Sequence, residues 1–194
     1  MIKLIYKIII LFFVFFSFEA KSEEVSIGDI NSKVIIKVFS SLTCPACANF
    51  HSKIFYQIKE EFIDKGLVRF EHHPFPLDLA ALNAEIIVRC HVDNIKKFEL
   101  LGKIYEKQTL WAAGSDIKKI NKLIKKIGLE SNLNNKDMDD CLKDETMQDE
   151  ILNQRINAQK KYEIGSTPTI FINEKKYKGK VEYSEFKKIL EKNL

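Results

Sequence analysis

Four residues constrain this chain more than any others. Cys44-Pro45-Ala46-Cys47 lies between the apolar run Val34-Ile35-Ile36-Lys37-Val38-Phe39 and a stretch of helical periodicity that begins at Cys47. A Cys-x-x-Cys pair placed where a strand hands over to a helix is the sequence form of a redox-active dithiol. Cys44 is expected at the helix N-terminus, where free backbone N–H groups and the positive end of the macrodipole stabilise a thiolate. Cys47, one turn further in, is expected to be less exposed. The first thiol can then attack a partner's disulfide, and the second can close onto the first and release the partner. Pro45 suits a first helical turn, because the N–H it lacks would have no intrahelical partner there.

The chain has 194 residues, enough for one domain with a sizeable core. Its 31 basic and 27 acidic residues leave a net charge of +4. The basic residues are spread along the chain, which gives no case for nucleic acid. Lys3 and Lys7 precede the apolar run Ile8 to Phe16 and then Ser17-Phe18-Glu19-Ala20, the pattern of a secretory signal over residues 1–20. An uncleaved N-terminal anchor is the alternative. Export to the periplasm would place the four cysteines where disulfides persist.

A polar lead, residues 21–33, comes before the buried strand Val34 to Phe39. Cys47, Phe50, Ile54, Ile58 and Phe62 then fall 3, 4, 4 and 4 apart, one helical face ended by Lys65-Gly66. Leu67 to His72 reads as a second strand, parallel to the first through a right-handed crossover and broken by Pro74 and Pro76. Residues 77–162 read as helical throughout. Leu79 to Arg89 and Asn94 to Lys107 are two candidates. A third is capped by Asp116, with lysines on its solvated face. The last runs from about Lys136 to Tyr162, with polar residues 143–149 leaving room for a break. Gly165-Ser166-Thr167-Pro168 ends the block, Thr169 to Ile172 is a strand, and Asn173-Glu174-Lys175 turns into Lys176-Tyr177. Ser184 is the expected cap of a terminal helix. Trp111 reads as core.

On these residues the chain resembles the DsbA-like thiol:disulfide oxidoreductases of the thioredoxin superfamily. The resemblance is carried by Val34 to Thr43 leading into Cys44-Pro45-Ala46-Cys47, by Phe50-His51, Phe75-Pro76-Leu77-Asp78, Arg89-Cys90 and Cys141-Leu142, and by Ser166-Thr167-Pro168-Thr169 before Phe171-Ile172-Asn173. It implies an α/β thioredoxin-like fold, residues 34–76 and 163–194, with a helical insertion, residues 77–162, between the two halves. It implies Cys44 as nucleophile, Cys47 as resolving thiol, and Pro168 after a cis peptide beside them. Thr167, Pro45 and Ala46 would meet the substrate, Thr167 by strand addition. Four cysteines allow three pairings, and the resemblance implies Cys90 with Cys141 as a structural disulfide. The implied partners are reduced, unfolded exported proteins and a DsbB-like membrane protein that reoxidises the pair; the chain would act as a monomer, with no cofactor and no metal.

Two departures qualify the resemblance. Many relatives hold a buried acid six positions before the nucleophilic cysteine, where this chain has Val38. Proton transfer at Cys47 must then use water, or the strand register must be shifted. Lys37 is expected to point to the opposite face. The Pro45-Ala46 dipeptide also lacks the histidine of the strongest oxidants, so a milder oxidant is expected. Isomerase or reductase activity on the same fold is the main alternative. A metal carrier using Cys44, Cys47 and His51, or a chaperone groove beside Pro168, are others. A zinc site would normally show a second ligand pair, and none stands in the sequence. His51 reads as packed, and His72, His73 and His91 carry no assignment.

Overall fold

The computed structural model describes residues 24–194; the signal-like segment 1–20 lies outside them. Five strands form one sheet in the order β1-β3-β2-β4-β5: β1 Val25–Ile27, β2 Val34–Ser40, β3 Val68–Pro74, β4 Thr169–Ile172 and β5 Lys175–Lys176. β2 pairs parallel with β3, Val38 opposite His72, and antiparallel with β4, Val38 opposite Ile170. The expected β-α-β unit is therefore present. Its connection, α1, is helical from 45 to 63, α-helical over Pro45–Phe50 and Tyr56–Ile58 with wide π turns over His51–Phe55 and Lys59–Ile63. A repeat of four is slightly long for an ordinary helical turn, and the wide turns absorb it. Cys47, Phe50, Ile54, Ile58 and Phe62 all end up buried on the core side.

Between β3 and β4 the chain is helical: α2 Leu79–Arg89, α3 Asn94–Glu106, α4 Gln108–Trp111, α5 Ile117–Leu129, α6 Asn135–Cys141 and α7 Glu145–Tyr162. The Asp78, Asp93 and Asp116 side chains accept backbone N–H bonds at the starts of α2, α3 and α5. Ile120, Ile124 and Ile127 of α5 are buried while Lys118, Lys119, Lys122 and Lys126 face solvent. Trp111 is fully buried, and its ring N–H donates to the Ile104 carbonyl at 2.9 Å.

Four local expectations need correction. The lead is not wholly irregular, because Val25–Ile27 pairs antiparallel with β3, a contact three residues long that no local pattern announces. β3 runs through Pro74, which sits beyond the reach of β1, so its missing N–H interrupts no ladder. The break left open in the helix over 136–162 is present, and Asp144 caps the new start, its side chain accepting from the Met147 N–H. The hairpin turn is Asn173-Glu174 alone, both at positive φ, and Lys175 already belongs to β5. The terminal helix, α8 Tyr183–Asn193, begins before Ser184, with Glu182 at its N-cap and no side-chain cap bond.

Gly28 closes β1 at φ +105°, and a Cβ there would lie 2.4 Å from the Val68 carbonyl oxygen. Gly28→Ala is expected to lower stability by about 1–3 kcal/mol, read as a shift in denaturant midpoint with unchanged slope.

Candidate active site

β2 ends at Ser40, and after Ser41-Leu42-Thr43 the chain enters α1 with Cys44 as its N-cap and proline in the first turn. No side chain caps this end. The free N–H groups of the first turn are thus left to the Cys44 sulfur. The loop is held from three sides. Thr43 Oγ1 donates to Asp78 Oδ2 at 2.8 Å, while the other oxygen of Asp78 caps α2. Gln108 Nε2, from α4, donates to the Leu42 and Cys44 carbonyls at 2.7 and 3.1 Å. The Leu77 N–H donates to Ser41 Oγ at 3.3 Å. Gln108 carried no signal in the sequence, because its role depends on α4 folding back over the loop.

The peptide Thr167-Pro168 is cis, and the Thr167 carbonyl oxygen lies 3.3 Å from Cys44 Sγ, across a separation of 123 residues. Thr169 Oγ1 donates to the Ser166 carbonyl at 2.7 Å and holds this loop at the mouth of β4. Pro45 and Ala46 are exposed, Thr167 and Pro168 half-buried. Cys44 is 8% exposed and Cys47 2%, both as free thiols. A hydrogen bond from the Cys47 thiol, and the N–H groups of Cys47 and Ala46, hold Cys44 at about 5 against the cost of burial. The same hydrogen bond, with burial, keeps Cys47 protonated far above the ordinary thiol range. The two thiols therefore divide into a thiolate at the helix start and a protonated thiol buried more deeply behind it.

Behind Cys47, Tyr105 Oη donates to Ser40 Oγ at 3.0 Å, Ser40 Oγ lies 3.1 Å from His72 Nδ1, and His72 Nε2 lies 2.6 Å from Glu85 Oε1. All four side chains are buried. His51 is also buried, stacked on Phe55 at 4.5 Å between centroids and beside Tyr105, as the packed reading expected. Burial first, and the neighbouring His72, push it down to about 3, so it is neutral. Lys37 pairs with Glu174, away from the thiols. His72 and Glu85 were not legible as partners, being on different elements with no motif linking them.

Cys44, Cys47 and His51 do not come within common ligand distance. Among the described residues the trio of His, Cys, Asp or Glu that does is Glu24, Glu71 and His73, on the other face of β3 from His72. In it, Glu71 is already bonded to Arg69 and His73. Cys90 and Cys141 are joined, with S–S 2.02 Å and Cα–Cα 6.1 Å, tying the end of α2 to the end of α6.

A thioredoxin family model matches residues 20–192. Disulfide bond formation protein D of Bacillus subtilis is 32% identical over 180 residues, 87% of this chain and 76% of that protein. The crystal structure of Wolbachia pipientis alpha-DsbA1 superposes with TM-score 0.81 at 26% identity, covering 88% of this chain and 90% of that one. Oxidised BdbD from Bacillus subtilis shares the fold at TM-score 0.77 and 24% identity, over 88% of this chain and 92% of that one. The chain therefore belongs to the thioredoxin superfamily, among its DsbA-like protein-disulfide oxidoreductases.

Proposed function

We propose that this oxidoreductase is exported and introduces disulfides into secreted proteins through Cys44 and Cys47. The observation that carries the reading is the division of labour at the helix start: Cys44, with its pKa at about 5, lies at the mouth, and Cys47 lies sealed behind it. A substrate thiolate attacks Cys44 Sγ of the oxidised pair, and the electron pair leaves on Cys47. A second substrate thiolate then attacks the substrate sulfur of the mixed disulfide and expels Cys44, a good leaving group because its thiolate is stabilised. The backbone of Thr167 beside the sulfur suits an extended chain laid along the loop. Leu77, Leu79 and Leu110, around the loop that Asp78 and Gln108 hold, are half or more exposed. A cavity of about 610 Å³ flanks the first turn, lined by Pro45, Asn49, Tyr56, Gln108 and others. These surfaces fit an unfolded polypeptide better than a small thiol. The N-terminal pattern supports export to the periplasm, and a DsbB-like membrane protein is the proposed source of oxidising equivalents.

The depressed pKa also sets a pH dependence. Alkylation of Cys44 in the reduced protein should be half-maximal near pH 5 and level by about pH 7, where an ordinary thiol still reacts slowly. The stability that this thiolate lends the reduced fold is complete above the ordinary thiol value of 9.0 and is lost as pH falls through about 5. A profile centred above pH 8 would remove the basis of the proposal. The direct test is oxidation of a reduced, unfolded polypeptide by the purified, oxidised protein.

A further inference from the structure

The register sets His72 of β3 directly beside Val38 of β2. Parallel partners present their side chains to the same face of a sheet, so His72 lies on the Val38 face. Between it and the resolving thiol lies a small cavity of about 10 Å³, lined by Val38, Ser40, Cys47, His51, His72 and Tyr105 among others. That is about the volume one water needs, and the wall offers it polar partners. One is His51 Nε2, a buried atom with no hydrogen-bond partner.

We propose that Ser40, His72 and Glu85 form the proton relay of Cys47. The relay ends in the buried pair His72 and Glu85, whose Nε2 and Oε1 lie 2.6 Å apart and share a proton. When a substrate thiolate attacks Cys44, the Cys44–Cys47 bond breaks, the substrate sulfur is oxidised and Cys47 leaves as a thiolate. It takes a proton from the water in the cavity, the water takes one from Ser40 Oγ, and Ser40 takes one from His72 Nδ1, leaving the His72–Glu85 pair one proton poorer. Reoxidation runs the path backwards, so that Cys47 is a thiolate when it attacks. Tyr105 keeps its proton, because burial holds its phenol well above the ordinary range, and it orients Ser40. The groups facing His72 are Ser40 from β2, His51 and Cys47 from α1, Glu85 from α2 and Tyr105 from α3, with the Arg89 guanidinium acting on Glu85 from the next turn of α2. Glu85 Oε2 has no hydrogen-bond partner, so the hydrogen bond that the Glu85 carboxyl group makes here is the one to His72.

The relay rests on the exchange chemistry proposed above, and the experiment separates the two. The reduced full-length protein is mixed with oxidised glutathione, and release of glutathione from the Cys44 mixed disulfide by Cys47 is followed from about pH 5 to pH 9, the range in which an imidazole changes charge. The unaltered protein should show a rate rising through an imidazole-like inflection. Glu85→Gln and Ser40→Ala should slow release by about 10²-fold, the lower end of what positioned acid–base groups supply, and should flatten the inflection. Alkylation of Cys44 should keep its rate in both. Folded variants whose release profile superimposes on that of the unaltered protein overturn the relay and leave the exchange chemistry standing. Should Glu85→Gln fail to fold, Ser40→Ala, which removes a single buried hydroxyl, decides alone. No exchange by the unaltered protein overturns the functional reading itself.

Discussion

Cys44→Ala is expected to reduce oxidation of a reduced polypeptide to the uncatalysed rate. Every bond made to substrate in the proposed cycle is made at this sulfur, and nothing else in the described structure can replace it. Cys47 is sealed at 2% exposure, and Cys90 and Cys141 are bonded to each other. The contrast with Cys47→Ala makes the test specific. That variant keeps the attacking sulfur but loses its protonated neighbour and its resolving group, so it should accumulate mixed disulfides with substrates where Cys44→Ala forms none. Its Cys44 pKa should also rise, because the hydrogen bond from Cys47 is the first cause of the depression. Thiol-trapped complexes separated on non-reducing gels give the readout. Undiminished turnover by Cys44→Ala would end the proposal.

The double variant Cys90→Ala with Cys141→Ala should be less stable by about 4 kcal/mol, the loop-closure entropy for a pair 51 residues apart. The bond joins the C-terminal ends of α2 and α6, beside the apolar group of Leu82, Ile86 and Ile151 with Leu142 and Met147. α6 has only one fully buried side chain of its own, Met138, so little else holds it to α2. Asp78, the cap of α2, also holds the Cys44 loop, so loosening α2 would reach the thiols through the Thr43–Asp78 hydrogen bond. Denaturant unfolding, with the active pair reduced in both proteins, gives the comparison. A difference below about 1 kcal/mol would mean that the cross-link constrains little in the unfolded chain.

Much of the fold was legible because it is written at helix and strand spacing. Val34 to Phe39 is apolar on successive residues because β2 lies between β3 and β4 with helices over the sheet. The face from Cys47 to Phe62 and the Asp116 cap of α5 are local devices, and each appears where the pattern put it. The misreadings fall where a short element borrows its stability from elsewhere. β1 is three residues held by β3, and β5 is two residues held by β4.

The sequence by itself determined the reactive pair, its position at a helix start and the β-α-β unit around it, because these depend on neighbours within one or two turns. Only the tertiary structure decided what surrounds the pair. It brought Thr167 and Pro168 to Cys44 from 123 residues away, laid Gln108 on the loop, and set His72 beside Val38 with Glu85 behind it. A side chain's acidity depends on burial and on which dipoles lie within a few ångströms, and spacing along a chain carries neither. The same Cys-Pro-Ala-Cys is thus placed by local rules and poised by distant ones.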